Sequence, residues 1–387
     1  MLLINIFFLG LAIAVNATQY FECQIEDPIQ SIESFYAISH CESIKGNLVI
    51  EDLDVPIIEF KRLREINGDL IIRNSPELVR VESPILGKIS GSLKMNELTS
   101  LSLISFPSLK SVTGLDWRVI PLLSNVRFSS EISDVQDIII SDTSLTGFSG
   151  FRAEQLQTLD INNNRFLEVL NSNVENINGM LHIASNAKSL KLNIPKLRSV
   201  NNVSINDVEE LDLSALTEVK ESMSIYNNNF EELKLPNLER VGGTLSITKN
   251  SQLSTIELDN LEEINGGLMI INNTQIQKIE FLANLTKIDG GVELVGNFEA
   301  MYFNSLKLVK GSAKIKSSNS KFDCNKVIRD QLSLAFRGGK IDCSIVNGAE
   351  RHNSLDDQEY SLKQKTSNAV KVLAKGWVHL LTFLWFL

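Results

Sequence analysis

The stretch Gly243-Thr244-Leu245-Ser246-Ile247 carries the G-x-L-x-I pattern that decides the fold of this chain. Apolar residues two positions apart in so short a run predict a β-strand with one buried face. The pattern recurs, with conservative changes, at Gly46–Ile50, Gly68–Ile72, Gly91–Met95, Gly179–Ile183, Gly266–Ile270 and Gly290–Leu294. Divergent copies lie near 114, 136, 157, 201, 221 and 311, so the repeat length is about 22 residues.

Each complete unit has two further apolar clusters. In the unit that starts at Gly243 they are Leu253-x-x-Ile256-x-Leu258 and Leu261-x-x-Ile264. Three short strands per unit, separated by Asn, Gly and Ser, indicate a coil with three corners. No unit contains a helical period long enough for a strand-plus-helix horseshoe, so an all-β parallel solenoid of about 13 coils is expected.

Two asparagine runs and one irregular region stand out within the repeats. Asn162-Asn163-Asn164 and Asn227-Asn228-Asn229 follow strands at equivalent places, and they are interpreted as corner residues because asparagine tolerates positive φ. A ligand-binding role for these runs is the alternative. The repeat is weakest between 114 and 156, where a junction between two half-solenoids is a hypothesis.

Both ends of the chain resemble processing signals. Leu2 to Val15 is apolar apart from two residues, which predicts a signal peptide (1–17) cleaved after Ala17, with cleavage after Ala14 or a buried N-terminal strand as alternatives. The last ten residues, VHLLTFLWFL, are too short to span a bilayer. Together with a spacer and small residues before it, this tail predicts a GPI-attachment signal (369–387), with Ser367 or Asn368 as the ω-site. An amphipathic C-terminal helix is the alternative.

The cysteines and glycosylation sequons fit a secretory route. Cys23 and Cys41 lie at one end of the repeat region, and Cys324 and Cys343 lie at the other. Four cysteines allow three pairings, and local pairing is expected if each pair caps one end of an elongated body. Sequons at Asn202, Asn272 and Asn284 are candidate N-glycosylation sites, whereas the sequon at Asn16 would leave with the signal peptide.

Composition and motifs argue against most catalytic and nucleic-acid functions. The chain has 37 Lys and Arg against 47 Asp and Glu, for a net charge of −10, which disfavours phosphate backbones. The four histidines are scattered, and no zinc-ligand spacing, nucleophile motif, phosphate loop or dinucleotide fingerprint occurs. The acidic pairs Glu209-Glu210, Glu231-Glu232 and Glu262-Glu263 recur, which is typical of a solvated face rather than of a catalytic pair. No cofactor, metal or small-molecule substrate is expected.

Several segments resemble the fungal GPI-anchored cell-wall organisation proteins, which include sporulation-specific members. These segments are Asn67–Asn74, Ile140–Leu145, Ile271–Thr274, Gly296–Phe298 and the closing Phe322–Asn325 with Gly339–Cys343. The resemblance covers roughly residues 23 to 343, and its fold is similar to the receptor L domain. It implies a right-handed parallel β-solenoid over 18–343, capped by disulfides, with no catalytic activity.

The resemblance implies a surface protein that acts in cell-wall organisation, with ascospore-wall assembly as one setting. Its expected partners are wall glycans or wall proteins, and a GPI lipid would hold it at the outer face of the plasma membrane or link it to the wall. The segment 344–368 is expected to be a short stalk, although family members often carry a longer one rich in Ser and Thr. A ligand-binding receptor ectodomain or an adhesin is the alternative function.

Overall fold

A computed structural model describes residues 21–128, 132, 134–148, 153–337 and 339–346, which belong to one compact unit ending at Val346. The signal peptide with its cleavage point after Ala17, the part of the expected stalk (344–368) from 347 onward, Ser367, Asn368 and the segment 369–387 lie outside the described residues, whereas the first two stalk positions belong to the last strand, Ile341–Ile345.

The described residues form short strands almost throughout. The strands of the N-terminal half are β1 (Glu22–Gln24), β2 (Ser43–Lys45), β3 (Leu48–Glu51), β4 (Ile57–Glu59), β5 (Glu65–Asn67), β6 (Leu70–Arg73), β7 (Arg80–Glu82), β8 (Lys88–Asn96), β9 (Leu103–Phe106), β10 (Ser111–Ile120), β11 (Asn125–Phe128), β12 (Asp137–Thr143), β13 (Gly147–Phe148), β14 (Gln155–Asn162), β15 (Val169–Asn171), β16 (Asn176–Ala184) and β17 (Lys191–Asn193). Those of the C-terminal half are β18 (Ser199–Asn206), β19 (Glu210–Asp212), β20 (Glu218–Val219), β21 (Met223–Tyr226), β22 (Glu232–Lys234), β23 (Arg240–Val241), β24 (Leu245–Thr248), β25 (Thr255–Glu257), β26 (Glu263–Ile264), β27 (Leu268–Ile271), β28 (Lys278–Ile279), β29 (Lys287–Ile288), β30 (Val292–Gly296), β31 (Ala300–Met301), β32 (Leu308–Val309), β33 (Ala313–Ser317) and β34 (Ile341–Ile345). The helices are α1 (Ile32–Ala37), α2 (Cys324–Val327) and a π-helical turn at Ile328–Leu332.

The strands stack in parallel, coil upon coil, as the sequence pattern predicts. Each coil has a first, a second and a third strand in chain order, for example β23, β24 and β25. Leu245 of the second strand β24 pairs with Met223 of β21 on one side and with Leu268 of β27 on the other. Over the described residues, the first and second strands of successive coils form one 22-stranded sheet, whereas the third side consists of two four-stranded and two two-stranded sheets. The prediction of an all-β parallel solenoid of about 13 turns is confirmed.

The core consists of columns of apolar side chains that point inward from these stacked strands. One such column, whose members are all buried, contains Ile50, Ile72, Met95, Trp117, Ile140, Ile161, Ile183, Ile205, Ile225, Ile247, Ile270, Leu294 and Ile315. Burying one such aliphatic side chain contributes about 2 kcal/mol. Because a single coil has no second layer to cover its apolar face, this stabilisation exists only when neighbouring coils stack.

The glycine of the G-x-L-x-I pattern lies where the backbones of consecutive coils are in close contact. A Cβ atom added to Gly266 would lie 2.5 Å from the carbonyl carbon of Gly243, and one added to Gly290 would lie 2.6 Å from that of Gly266. Neither glycine has positive φ. Steric contact between backbones therefore explains why glycine recurs at this corner.

A second corner follows the second strand of each coil and uses left-handed residues. Among the described residues, eleven non-glycine residues with φ between 52° and 58° occupy it, two of them in the last residues of β10 and β12, namely Asp52, Asn74, Glu97, Val119, Asp142, Asn163, Ser185, Asp207, Asn227, Lys249 and Asn272. The interpretation of Asn163 and Asn227 as corner residues is confirmed. Their neighbours Asn164 and Asn228 are buried instead of exposed.

The buried asparagines form hydrogen-bonded ladders between coils. Nδ2 of Asn228 donates to Oδ1 of Asn250 at 3.0 Å, and Nδ2 of Asn250 donates to Oδ1 of Asn273 at 3.0 Å. Asn164 and Asn186 form the same link at 3.2 Å. Val208 occupies the equivalent position in the coil between the two ladders, so the ladder is interrupted there.

Both ends of the solenoid carry a disulfide. Cys23 pairs with Cys41 and Cys324 pairs with Cys343, with a Cα–Cα distance of 5.8 Å in each bond. At the N-terminal end, Phe35 of α1 packs edge-on against Phe60, with ring centroids 5.7 Å apart. At the C-terminal end, β34 pairs with β33. The expected local pairing is present in the structure.

The region between 114 and 156 is continuous on one side and interrupted on another. Gly114–Ile120 of β10 pairs with β12, but on the third side no pairing between β11 and β13 is present in the described residues. Trp117 fills the interior there, with Phe128 and Phe148 at centroid distances of 5.8 and 6.2 Å. A junction in this region stays a hypothesis.

Among the described residues, no helix has the length and apolar character needed to cross a bilayer.

Candidate interaction surface

The recurrent acidic pairs do not form a catalytic pair. Glu210 accepts a hydrogen bond from Lys191 at 2.5 Å, Glu232 pairs with Lys234, and Glu263 lies 3.8 Å from Arg240. The glutamates at 209–210 and 231–232 lie at the start of the third strand of their coils, whereas 262–263 lies at the first strand. These side chains are mostly exposed, and one glutamate of each pair contacts a neighbouring cation. They therefore lack the buried environment that is typical of acid–base catalysis.

A polar cleft opens beside two of these glutamates. Its volume is about 450 Å³, and it is lined by Lys188, Ser189, Glu209, Asn229, Glu231 and Gln252. Four consecutive coils contribute to it: coil 7 (176–193), coil 8 (199–212), coil 9 (218–234) and coil 10 (240–257).

The cleft exists because the loop between the second and third strands shortens in its middle coils. Six residues connect β16 to β17 in coil 7 and β24 to β25 in coil 10, but three connect β18 to β19 and five connect β21 to β22. The longer loops form walls, and the shorter ones form the floor. Nδ2 of Asn229 reaches past coil 8 and donates to the carbonyl of Lys188 at 3.3 Å.

The sequence contains a signal for this cleft in the spacing of its repeats. The units near 201 and 221 are only 20 residues apart, against a repeat of about 22. Asn229 belongs to an asparagine run interpreted as corner residues, and only Asn227 of that run has positive φ.

A half-buried ion pair lies on the outer face of the second-strand sheet. Nδ1 of His182 lies 2.8 Å from Oδ1 of Asp160. The hydrogen bond to Asp160 raises the pKa of His182, against an opposing effect of burial. Burial alone would raise the pKa of Asp160, but hydrogen bonds from His182 and Asn162, with the charges of His182 and Arg118, outweigh it and lower that pKa.

This pair does not extend into a nucleophilic triad. Ser204 follows His182 in register on the next strand, but no hydrogen bond from Ser204 to His182 is present among the described contacts. The pair lies on an open sheet face. The arrangement supports a structural ion pair rather than acyl-transfer chemistry.

The candidate glycosylation sites occupy three different environments. Asn202 lies within β18, where its Nδ2 donates to the carboxylate of Glu221. Asn272 lies at a left-handed corner. Asn284 is exposed, and its Nδ2 donates to the carbonyl of Asp259 at 2.7 Å. Glycosylation of each stays a prediction.

One group of metal-ligand residue types occurs in the described part of the chain, at Cys23, His40 and Cys41. Both sulfur atoms are in the disulfide, so neither is available as a thiolate ligand.

Fold and surface together define, over the described residues, a repeat domain that is a parallel β-solenoid with a polar exterior. The receptor L domain family matches residues 237–308. Sporulation-specific protein 22 of Saccharomyces cerevisiae is 44% identical over 84% of this chain and 70% of its own length. Sporulation-specific protein 2 of the same organism is 38% identical over 86% of this chain and 68% of its own, and the protein ecm33 of Aspergillus fumigatus is 28% identical over 78% and 75%.

The chain belongs to this family of fungal sporulation-specific and cell-wall proteins. The family resemblance stated from the sequence is therefore confirmed. Other relatives are named as a cell wall mannoprotein and as a cell surface GPI-anchored protein, and the matched receptor L domain is not an enzyme family. No solved structure matches the chain.

Proposed function

We propose that this chain is a non-enzymatic surface protein required for fungal cell-wall organisation, with ascospore-wall assembly as one setting. The observation that carries the proposal is the 44% identity to a sporulation-specific protein across 84% of the chain, which includes the repeats. Relatives named as a cell wall mannoprotein and as GPI-anchored cell-surface proteins support a location at the wall or the outer face of the plasma membrane.

The proposed mode of action is contact through the faces of the solenoid. The long parallel sheet presents polar and charged side chains in regular columns, such as Asp160, His182 and Ser204 on three neighbouring strands. Wall glycans or wall proteins are the proposed partners, and the proposed attachment to the membrane is a GPI lipid at Ser367 or Asn368. Glycans at Asn202, Asn272 and Asn284 would limit which faces remain accessible.

Release by phosphatidylinositol-specific phospholipase C tests the attachment. Full-length protein on intact cells is expected to be released by the enzyme, and the double variant Ser367→Leu with Asn368→Leu is expected to lose the releasable pool. The double variant Ser354→Ala with Ser361→Ala, upstream in the stalk, is the matched control and should behave like the wild type. Protein that resists release with its tail intact contradicts the GPI proposal.

Loss of the gene tests the role in the wall. We expect increased sensitivity to wall-binding dyes or to spore-wall lytic enzymes, and restoration by the wild-type gene. Normal wall resistance in both spores and growing cells would contradict the proposed role.

The ligand-binding receptor or adhesin is a second candidate, which the receptor L domain match at residues 237–308 favours. It predicts normal wall resistance in the deletion strain, with loss of adhesion to a surface or to another cell.

A further inference from the structure

We propose that the cleft over coils 8 and 9 binds one chain of neutral polysaccharide. This inference deepens the proposed function, because it assigns the glycan contact to one place on the solenoid. It rests on the shape of the cleft, on the chemistry of its lining and on a hydrogen bond that orients one of its side chains.

The shape of the cleft suits a linear polymer. The long loops of coils 7 and 10 are three coil steps apart, and at the spacing of neighbouring strands this amounts to about 14 Å between backbones. Side chains such as Lys188 and Gln252 on these walls narrow the opening further. A ligand seated between these walls must therefore be narrower than a folded domain, and an extended chain meets this condition.

The lining suits hydroxyl groups. All six lining residues are polar or charged: Lys188, Ser189, Glu209, Asn229, Glu231 and Gln252. They supply an ammonium donor, two carboxylate acceptors, two amides that can both donate and accept, and a hydroxyl. A ring hydroxyl also both donates and accepts, so neighbouring hydroxyls of a sugar can pair with such a mixed set.

The same lining argues against other partners. Protein interfaces have an apolar or aromatic centre, and no apolar side chain lines this cleft. Two carboxylates oppose an anionic polymer or an acidic lipid surface, and Lys188 offsets one of them, so that only a single net negative charge is left to attract a polycation. A neutral polyhydroxyl chain is the ligand class with which every lining group is compatible.

One lining side chain is held in place by the fold. The shortened loop of coil 8 lets Asn229 of coil 9 donate to the carbonyl of Lys188 in coil 7, at 3.3 Å. This hydrogen bond fixes the amide at the floor of the cleft with its Oδ1 left as an acceptor. A side chain ordered before binding loses less conformational freedom when the ligand arrives.

Binding of oligosaccharides by the full-length protein tests the inference. Detergent-solubilised protein, treated with endoglycosidase so that its own N-glycans do not compete, is titrated with neutral β-1,3-glucan and α-mannan hexasaccharides. A sulfated hexasaccharide and a glucosamine hexasaccharide serve as charged probes. Binding of at least one neutral probe, stronger than that of both charged probes, is expected.

Variants of the cleft locate the binding. Glu209→Gln with Glu231→Gln, and separately Asn229→Ala, should weaken neutral binding about tenfold, because the first change replaces charged acceptors by weaker neutral ones and the second removes the amide that the sugar would contact. Glu77→Gln and Gln275→Ala, on exposed loops of other coils, are matched controls and should leave affinity unchanged. Thermal unfolding of every variant separates lost binding from lost folding.

The outcomes distinguish this inference from the proposed function. Neutral binding that the cleft variants leave intact, or the absence of neutral binding, overturns the cleft assignment. Preferred binding of a charged probe overturns the ligand class. Neither result affects the phospholipase release or the wall resistance of the deletion strain, which test the proposed function on their own.

Discussion

At the residue scale, close backbone contact sets the tightest requirement on the sequence. The corner glycines Gly243, Gly266 and Gly290 lie against one another across consecutive coils, and a Cβ atom on Gly266 would lie within 2.7 Å of backbone atoms of the preceding coil. Backbone atoms inside a stacked sheet cannot move aside as the end of a flexible side chain can, so the whole corner would have to shift.

Substitution of Gly266 by alanine is therefore expected to lower the free energy of unfolding by about 2 kcal/mol. Gly87→Ala is the matched control, because its Cβ would meet its nearest neighbours at 3.8 Å, an ordinary contact. Chemical denaturation of both variants measures the difference. Equal stability of the two variants would contradict the steric explanation of the G-x-L-x-I glycine.

The ion pair of His182 and Asp160 makes stability depend on pH. The pKa of His182 is raised above 6.5, so its contribution is complete below that value and is lost as pH rises through the raised pKa. The pKa of Asp160 is lowered below 3.8, so its contribution is present above that value and is lost as pH falls through the lowered pKa. The charged pair therefore stabilises the fold between about pH 4 and the raised pKa of His182.

His182→Gln is expected to destabilise the protein by about 1 kcal/mol at pH 5.5, and by clearly less at pH 8.5. Unfolding midpoints measured at the two pH values provide the test. Asp160→Asn should show the same pH dependence, because it removes the same charged pair. A loss from His182→Gln that is equal at both pH values would show that packing, and not charge, is what the histidine contributes.

At the element scale, strands were predictable and loops were not. The alternation of Leu245 and Ile247 with polar residues identifies the buried face of β24, because only one side of that strand meets the core. The asparagine ladder and the cleft depend on which residues become neighbours in the next coil, and one coil read alone does not contain that information. Loop length supplied the missing signal, since coil 8 is short where the cleft opens.

The C-terminal cap, which consists of α2 and β34, should stabilise mainly the strands next to it. The Cys324–Cys343 disulfide joins α2 to β34, and β34 covers the edge of β33. The two cysteines are 19 residues apart, and without the disulfide the unfolded chain between them is no longer constrained. The free energy of unfolding of the cap is therefore expected to fall by about 3 kcal/mol.

Cys324→Ser with Cys343→Ser should therefore speed amide hydrogen exchange in β33 while β18, in the middle of the solenoid, keeps its protection. Cys23→Ser with Cys41→Ser is the matched control, and it should affect β2 at the opposite end instead. Uniform loss of protection along the chain would mean that the solenoid unfolds as a single unit and that the caps have no local role.

At the scale of the whole molecule, stability is a sum over coils and over the contacts between them. A coil can then be deleted if the strands on either side of the deletion keep their order within the coil and their pairing register. Deletion of 243–265 joins Gly242 to Gly266, and this places β27 in the position of β24 with its glycine at the same corner. Met223 of β21 would then pair with Leu268, as it now pairs with Leu245.

The in-phase deletion should fold, with a single cooperative unfolding transition within about 10 °C of the wild type, because it removes one coil and one interface from a long stack. Deletion of 243–254, about half a repeat, is the matched control. It breaks the phase, leaves β25 without a second strand before it and exposes core side chains, so secretion of that variant should fail. If both deletions behave alike, the stability of this protein does not reside in the stacking of equivalent coils, and the one-dimensional description of the solenoid is wrong.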